Sequence, residues 1–228
     1  MAVGRAAIEL LQRAGWRISL AAAGCCGRAS LSKGLVGQAR RQAARMTSRL
    51  ARSAAQGVPI VGVEPSCLLT LGDEYLALLP GDAAAQAVAA AIRMPEELLV
   101  QAIADGRLSI PVANQFSGRR ILFHGHCHQK ALAGTAATVQ LLRSIPGAEV
   151  IELDAGCCGM AGSFGYEAEH YELSMKIGES RLFPAVRAES EHAVFAATGT
   201  SCRQQILHGT GRHVLHPIEI VWLSLHGR

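Results

Sequence analysis

The sequence predicts an α/β protein made of two tandem, pseudo-repeated halves, each a small, mainly parallel sheet flanked by helices. Three observations predict it. The tripeptide Cys-Cys-Gly occurs twice, at Cys25-Cys26-Gly27 and at Cys157-Cys158-Gly159. Each copy is followed by a Ser-Cys pair, with Cys67 41 positions after Cys26 and Cys202 44 positions after Cys158. Around both copies, short apolar runs alternate with segments of helical pattern, the order expected of parallel strands joined by helical crossovers.

Taken in order, Gly4 to Ala14 is patterned as a helix, Arg17 to Leu20 as a short strand, and Lys33 to Ala55 as a long Ala/Arg-rich helix. Val58 to Val63 has the continuous apolar character of a buried parallel strand and runs into Glu64-Pro65-Ser66-Cys67. Ala83 to Ile92 and Pro95 to Ala104 follow as helices, the second with proline in its first turn and Gly106 as its stop. Asp105 to Arg119 carries Gly, Pro, Asn and Ser without a period. The boundary is therefore expected there: a first half at 1–105, a linker at 106–119 and a second half at 120–228.

The second half restates the first. A strand is expected at Ile121 to His124, then Cys127, a helix around Gln129 to Ser144, and a strand at Glu149 to Leu153. The second Cys-Cys-Gly, a helix from about Tyr166 to Arg187, a strand at Ala193 to Ala196 and a helix opened by Ser201-Cys202 complete it. Each cysteine thus follows a strand and precedes a helix. In an open parallel sheet those turns gather along one edge, where ligand sites form. Cys127, Cys157, Cys158 and Cys202 can converge there, and Cys25, Cys26 and Cys67 form a possible second site.

Thiolates suit such an edge. Helix N-termini favour negative charge and lower a thiol's pKa, and a glycine after each pair lets the backbone turn its N–H groups toward the sulfurs. His124, His126 and His128 alternate around Cys127 and are auxiliary candidates, as ligands, proton carriers or turn residues. The residues leave three readings open. One is an iron–sulfur electron-transfer module; the second is a structural zinc or docking domain, for which adjacent cysteines are geometrically awkward; the third is a thiol–disulfide redox module at Cys157-Cys158.

Composition excludes several other classes. Seven cysteines in 228 residues are an odd number and too few for a disulfide scaffold. Arg5, Glu9, Arg13 and Arg17 punctuate the start, leaving no apolar signal core, and no apolar run is long enough to span a bilayer. A cytoplasmic location is expected, or a peripheral one at the inner face of the membrane. The net charge is +4, yet aromatic residues amount to 4%, a poor footprint for nucleic acid. Arg40, Arg41, Arg45, Arg49 and Arg52 recur at helical spacing and read as a solvated helix face.

The stretches His124-Gly125-His126-Cys127-His128-Gln129-Lys130-Ala131-Leu132, Asp154 to Tyr166 around Gly156-Cys157-Cys158-Gly159, and Gly199-Thr200-Ser201-Cys202 through His216-Pro217 carry a resemblance. They resemble the cysteine-rich Cys-Cys-Gly domain found in heterodisulfide reductase and in the iron–sulfur subunit of glycolate oxidase. They resemble still more the C-terminal part of FAD-linked D-lactate/D-2-hydroxyacid dehydrogenases. The resemblance implies an iron–sulfur cluster of 4Fe-4S type on Cys127, Cys157, Cys158 and Cys202; zinc is the alternative metal, that of the structural reading. It also implies FAD on another domain or partner, a flavin-containing dehydrogenase as electron donor, and a separate electron acceptor.

Two departures shape the expectation. The family continues its last cysteine as Cys-x-x-Cys, whereas here Gln205 follows Cys202 and Thr70 follows Cys67 at that spacing. The first half has three cysteines and Arg28 directly after Gly27, so it is expected to be a degenerate site in which a buried guanidinium offsets thiolate charge. Met160 and Phe164 are expected to cover the second site. No Gly-x-Gly-x-x-Gly, no closely spaced ferredoxin cysteines and no flavin-binding segment are present. The chain is accordingly expected to be a fragment or separate piece that moves electrons and lacks a substrate site of its own.

Overall fold

The computed structural model describes residues 3–21 and 24–226. The chain divides into two compact units, Met1–Arg17 with Glu96–Arg228, and Ile18–Pro95. Helix α1 (Val3–Arg13) opens the larger unit. The smaller unit follows with α2 (Arg28–Ser32), α3 (Val36–Ala55), β1 (Ile60–Val61), α4 (Pro65–Gly72), α5 (Glu74–Leu78), α6 (Ala83–Ala91) and β2 (Ile92–Arg93). The chain then returns to the larger unit with α7 (Pro95–Ala104), β3 (Arg120–His124), α8 (Cys127–Leu132), α9 (Ala136–Arg143) and β4 (Glu149–Glu152). Two 3-10 turns, Phe164–Tyr166 and Ala168–His170, lead into α10 (Tyr171–Ser180), α11 (Leu182–Arg187), β5 (Val194–Ala197), α12 (Thr200–Thr210), β6 (Val214–Leu215) and α13 (Pro217–His226).

In the larger unit a four-stranded, wholly parallel sheet has the order β4-β3-β5-β6. Leu122 of β3 pairs with Ile151 on one side and Phe195 on the other, which fixes the register. The four residues of β5, Val-Phe-Ala-Ala, are all buried, because helices cover both faces and no alternation is required. One core cluster joins Leu122, Phe195 and Ala197 of the sheet to Leu182, Phe183 and Val186 of α11 and Ile206 of α12. Helix α1 buries Ala6, Ala7, Leu10 and Leu11 and packs against α13, where the Trp222 Nε1–H donates to the Glu9 carboxylate at 2.7 Å.

The smaller unit is mostly helical. Its core places Ala39, Ala43, Met46, Leu50 and Ala54 of α3 beside Tyr75, Leu78 and Val88, and its sheet is the short parallel pair β1-β2.

Several sequence expectations are corrected. Residues 106–119, expected as a linker, group with the larger compact unit. That segment buries Leu108 and Phe116, and its Asn114 and Gln115 side chains donate to the carbonyls of Pro146 and Leu223, so it belongs to the larger unit. Arg17 to Leu20 forms no strand, and Leu20 is 79% exposed; an apolar side chain left in water gives a strand there nothing to bury. The strand expected over Val58 to Val63 shrinks to Ile60–Val61, bounded by Pro59, which has no N–H for a ladder. The helix expected from Tyr166 to Arg187 is broken at Arg181, since Pro184 cannot donate to the carbonyl four residues back. The helix expected around Gln129 to Ser144 is split between α8 and α9 at Gly134. The one expected at Lys33 to Ala55 is preceded by the separate short turn α2.

Candidate metal centre

The two Cys-Cys-Gly turns have the same local geometry. Gly159 has φ +100° and directs its N–H to the Cys157 sulfur at 3.3 Å. Gly27 has φ +88° and directs its N–H to the Cys25 sulfur at 3.4 Å. This left-handed backbone, which glycine adopts without a steric cost, folds the chain back so that the third residue solvates the first sulfur. The Ser-Cys pairs also correspond. Cys67 is the third residue of α4 and Cys202 the third of α12, so both sulfurs sit in a first helical turn.

In the larger unit the C-terminal ends of β3, β4 and β5 bring four sulfurs into one connected set. The Cys127 thiol donates to Cys157, and the Cys158 thiol is shared between the Cys157 and Cys202 sulfurs. Cys158 and Cys202 are buried, while Cys127 and Cys157 are partly exposed. The donated protons hold Cys157 far below an ordinary thiol, helped by the N–H groups of Gly159 and Ala161, and push Cys127 and Cys158 up. Cys202 is held low by the Cys158 thiol first and then, against its burial, by His124. Ala161, with φ +41°, is the one non-glycine residue of positive φ among the described residues, and Met160 supplies a further N–H to Cys158. The loop thus aims successive N–H groups at sulfur, an arrangement that suits an anionic sulfur-ligated centre.

His124 closes this set. It is fully buried, neither ring nitrogen finds a conventional hydrogen-bond partner, and one nitrogen lies with the Cys158 and Cys202 sulfurs within 4.8 Å of one another. The neighbouring histidines are placed differently. His126 caps α8 by accepting the His128 N–H at its Nδ1, 3.2 Å away, and its ring packs so closely on Gly199 that a Cβ there would lie 2.3 Å from it. A set of four thiols, two of them buried, beside a buried imidazole fits a soft metal or an iron–sulfur centre.

Residues that the sequence did not single out hold this edge together. The Thr198 hydroxyl donates to the Gln129 amide oxygen at 2.7 Å, and the Gln129 amide donates to Thr138 at 2.9 Å, all three being buried. Lys130 Nζ donates to the Ala155 carbonyl at 2.7 Å, tying α8 to the loop ahead of Cys157. Of these, only Gln129 and Lys130 carry a sequence signal, as polar residues directly after Cys127. Gln205, three residues after Cys202 in α12, donates to the Ser174 carbonyl at 3.0 Å. Met160 is buried in the same cluster as Cys158 and Cys202, whereas Phe164 stacks on His170 with centroids 3.9 Å apart.

In the smaller unit Cys26 and Cys67 are hydrogen-bonded, and Cys25 lies beside Cys26. The Cys67 thiol and the Arg28 N–H lower Cys26, while Cys67 is pushed up. The Arg28 guanidinium does not offset these sulfurs as expected; it pairs with Glu74. The groups that do face them are the Glu64 carboxylate beside Cys67 and Tyr75, whose hydroxyl donates to the Cys26 carbonyl at 2.8 Å.

The cysteine-rich domain family matches residues 2–72 and 121–206, one block on each Cys-Cys-Gly copy. The protein is similar to a subunit of the anaerobic glycerol-3-phosphate dehydrogenase of Escherichia coli (strain K12), 28% identical over 225 residues, 98% of this chain and 55% of that protein. It is similar to D-2-hydroxyglutarate dehydrogenase of the same organism, 32% identical over 213 residues, 93% of this chain and 20% of that protein. Lactate utilization protein A of Geobacillus kaustophilus (strain HTA426) is 27% identical over 201 residues, 86% of this chain and 81% of that protein. The chain spans about half the length of the first of these relatives. With its repeated Cys-Cys-Gly turns and matched Ser-Cys helices, the chain belongs to the CCG cysteine-rich domain family.

Proposed function

We propose that Cys127, Cys157, Cys158 and Cys202 hold an iron–sulfur cluster of 4Fe-4S type, and that the chain is the electron-transfer part of a flavin-linked 2-hydroxyacid oxidoreductase. The observation that carries this reading is the convergence of four sulfurs at the C-terminal edge of one parallel sheet, with loop N–H groups aimed at them. When bound, the cluster supplies a one-electron carrier. The chain's own residues do the rest. Cys127 and Cys158 give up their protons so that four thiolates become ligands. The N–H groups of Gly159, Met160 and Ala161 stabilise the added negative charge and so favour the reduced form. Buried Met160 keeps water from the inner sulfurs.

The flavin, the substrate and the electron acceptor belong in this reading to another domain or subunit. It is supported by the similarity to a dehydrogenase subunit and to a fifth of a much longer dehydrogenase. Cys25, Cys26 and Cys67 are read as a site without a cluster, because one of their neighbours is a carboxylate and no fourth thiol joins them among the described residues. Iron, zinc and acid-labile sulfide measured on one anaerobically purified sample test the proposal. Iron and sulfide in comparable amounts are expected; zinc without sulfide would replace the electron-transfer reading by a structural one.

A further inference from the structure

Three residues after Cys202 this chain has Gln205. In a helix that position shares a face with Cys202. The Gln205 side chain is buried and committed, through its donation to Ser174, to holding α10 against α12, so it does not turn to the sulfurs. On the other side of Cys202, at the end of β3, stands His124. A neutral imidazole is buried cheaply only if its polar nitrogens are satisfied, and the groups around those of His124 are the Cys158 and Cys202 sulfurs. Neither His124 nitrogen has a conventional hydrogen-bond partner.

We infer that His124 is itself a ligand of the metal centre, binding beside Cys158 and Cys202. This rests on the proposed cluster and goes beyond it by assigning a nitrogen ligand. The three donor atoms lie within 4.8 Å of one another, so the imidazole nitrogen would be within reach of metal held by the Cys158 and Cys202 sulfurs. His126 is the contrasting case, since its Nδ1 serves the helix cap. A neutral nitrogen in place of a thiolate lowers the negative charge at the centre and raises its reduction potential, as histidine ligation does in Rieske-type centres.

Pulsed electron paramagnetic resonance of the reduced full-length chain, with and without 15N-histidine, tests the assignment. A directly bound imidazole coupling that changes on labelling is expected. His126→Ala should keep it, whereas His124→Cys should keep the wild-type iron and sulfide content, lose the coupling and show a lower midpoint potential. A cluster with no nitrogen coupling, or one whose coupling survives His124→Cys, overturns this inference and leaves the iron–sulfur reading intact. If the protein carries zinc without sulfide, the iron–sulfur reading falls alone, and X-ray absorption decides His124 by a mixed sulfur and nitrogen shell or a sulfur-only one. A purified chain that binds neither metal sinks both.

Discussion

The Cys158 thiol hydrogen-bonds the Cys202 sulfur, and in the smaller unit the corresponding pair is hydrogen-bonded with the direction reversed, the Cys67 thiol donating to Cys26. Each contact joins the second cysteine of a Cys-Cys-Gly turn to the third residue of a helix. What differs is the surroundings. Cys127 and His124 extend the set in the larger unit, whereas Glu64 and Tyr75 border the smaller one.

That difference predicts an asymmetric response to mutation. Cys157→Ser or Cys202→Ser should reduce bound iron and sulfide to background. Cys25→Ser should leave both at the wild-type level, because no set of four thiols among the described residues includes it. Colorimetric iron and sulfide on anaerobic samples make the comparison, and loss of half the iron in Cys25→Ser would show a second cluster.

Gly159 should be the least replaceable glycine of the loop. Its φ is +100°, and a Cβ there would lie 2.0 Å from the Ser174 carbonyl oxygen. Gly159→Ala should therefore cost about 3 kcal/mol of folding stability and displace the N–H from Cys157. Gly134→Ala, with φ +72° and open space around the Cβ, should cost only about 1 kcal/mol. Urea unfolding of the two variants gives the ranking, and equal costs would contradict it.

Phe183 is wedged between two glycines. Cβ atoms at Gly178 and Gly209 would lie 2.4 and 2.3 Å from its ring. Gly209→Ala should cost about 1–3 kcal/mol through overpacking. Combining it with Phe183→Leu should give a loss smaller than the sum of the two single losses, since the smaller side chain makes room for the methyl group. Additive losses in denaturant melts would mean that the ring and the glycine do not compete for that space.

Glu96 links stability to pH. It is fully buried, its oxygens lack partners, and burial raises its pKa from 4.5 to about 7. The folded state therefore binds a proton that the unfolded state has already lost, and stability falls as pH rises from 4.5 to about 7. The full loss, present above 7, is roughly 3 kcal/mol. Glu96→Gln should be more stable than wild type at pH 8 and nearly equal to it at pH 4, as read from melts across that range. A wild-type stability that increases between these pH values for reasons confined to residue 96 would reverse the sign.

The sequence by itself determined the repeat, the alternation of strand and helix through the second half, and the cysteines to examine. Residue spacing carried that information: glycine after each cysteine pair requires a tight turn, and the runs at Ile121 to His124 and Val194 to Ala197 are buried throughout because both faces are covered. Tertiary structure decided what spacing cannot carry. It decided that 106–119 is built into the larger unit and that α1 belongs there with α13, because burial depends on partners distant in the chain. It separated His124, orphaned among sulfurs, from His126, which caps a helix, although the two are separated by a single glycine. It also paired Arg28 with Glu74, where charge alone had suggested thiolates. Periodicity fixes which residues share a face of a helix or strand; which polar atom is left unmet is settled only when all the buried groups have chosen partners.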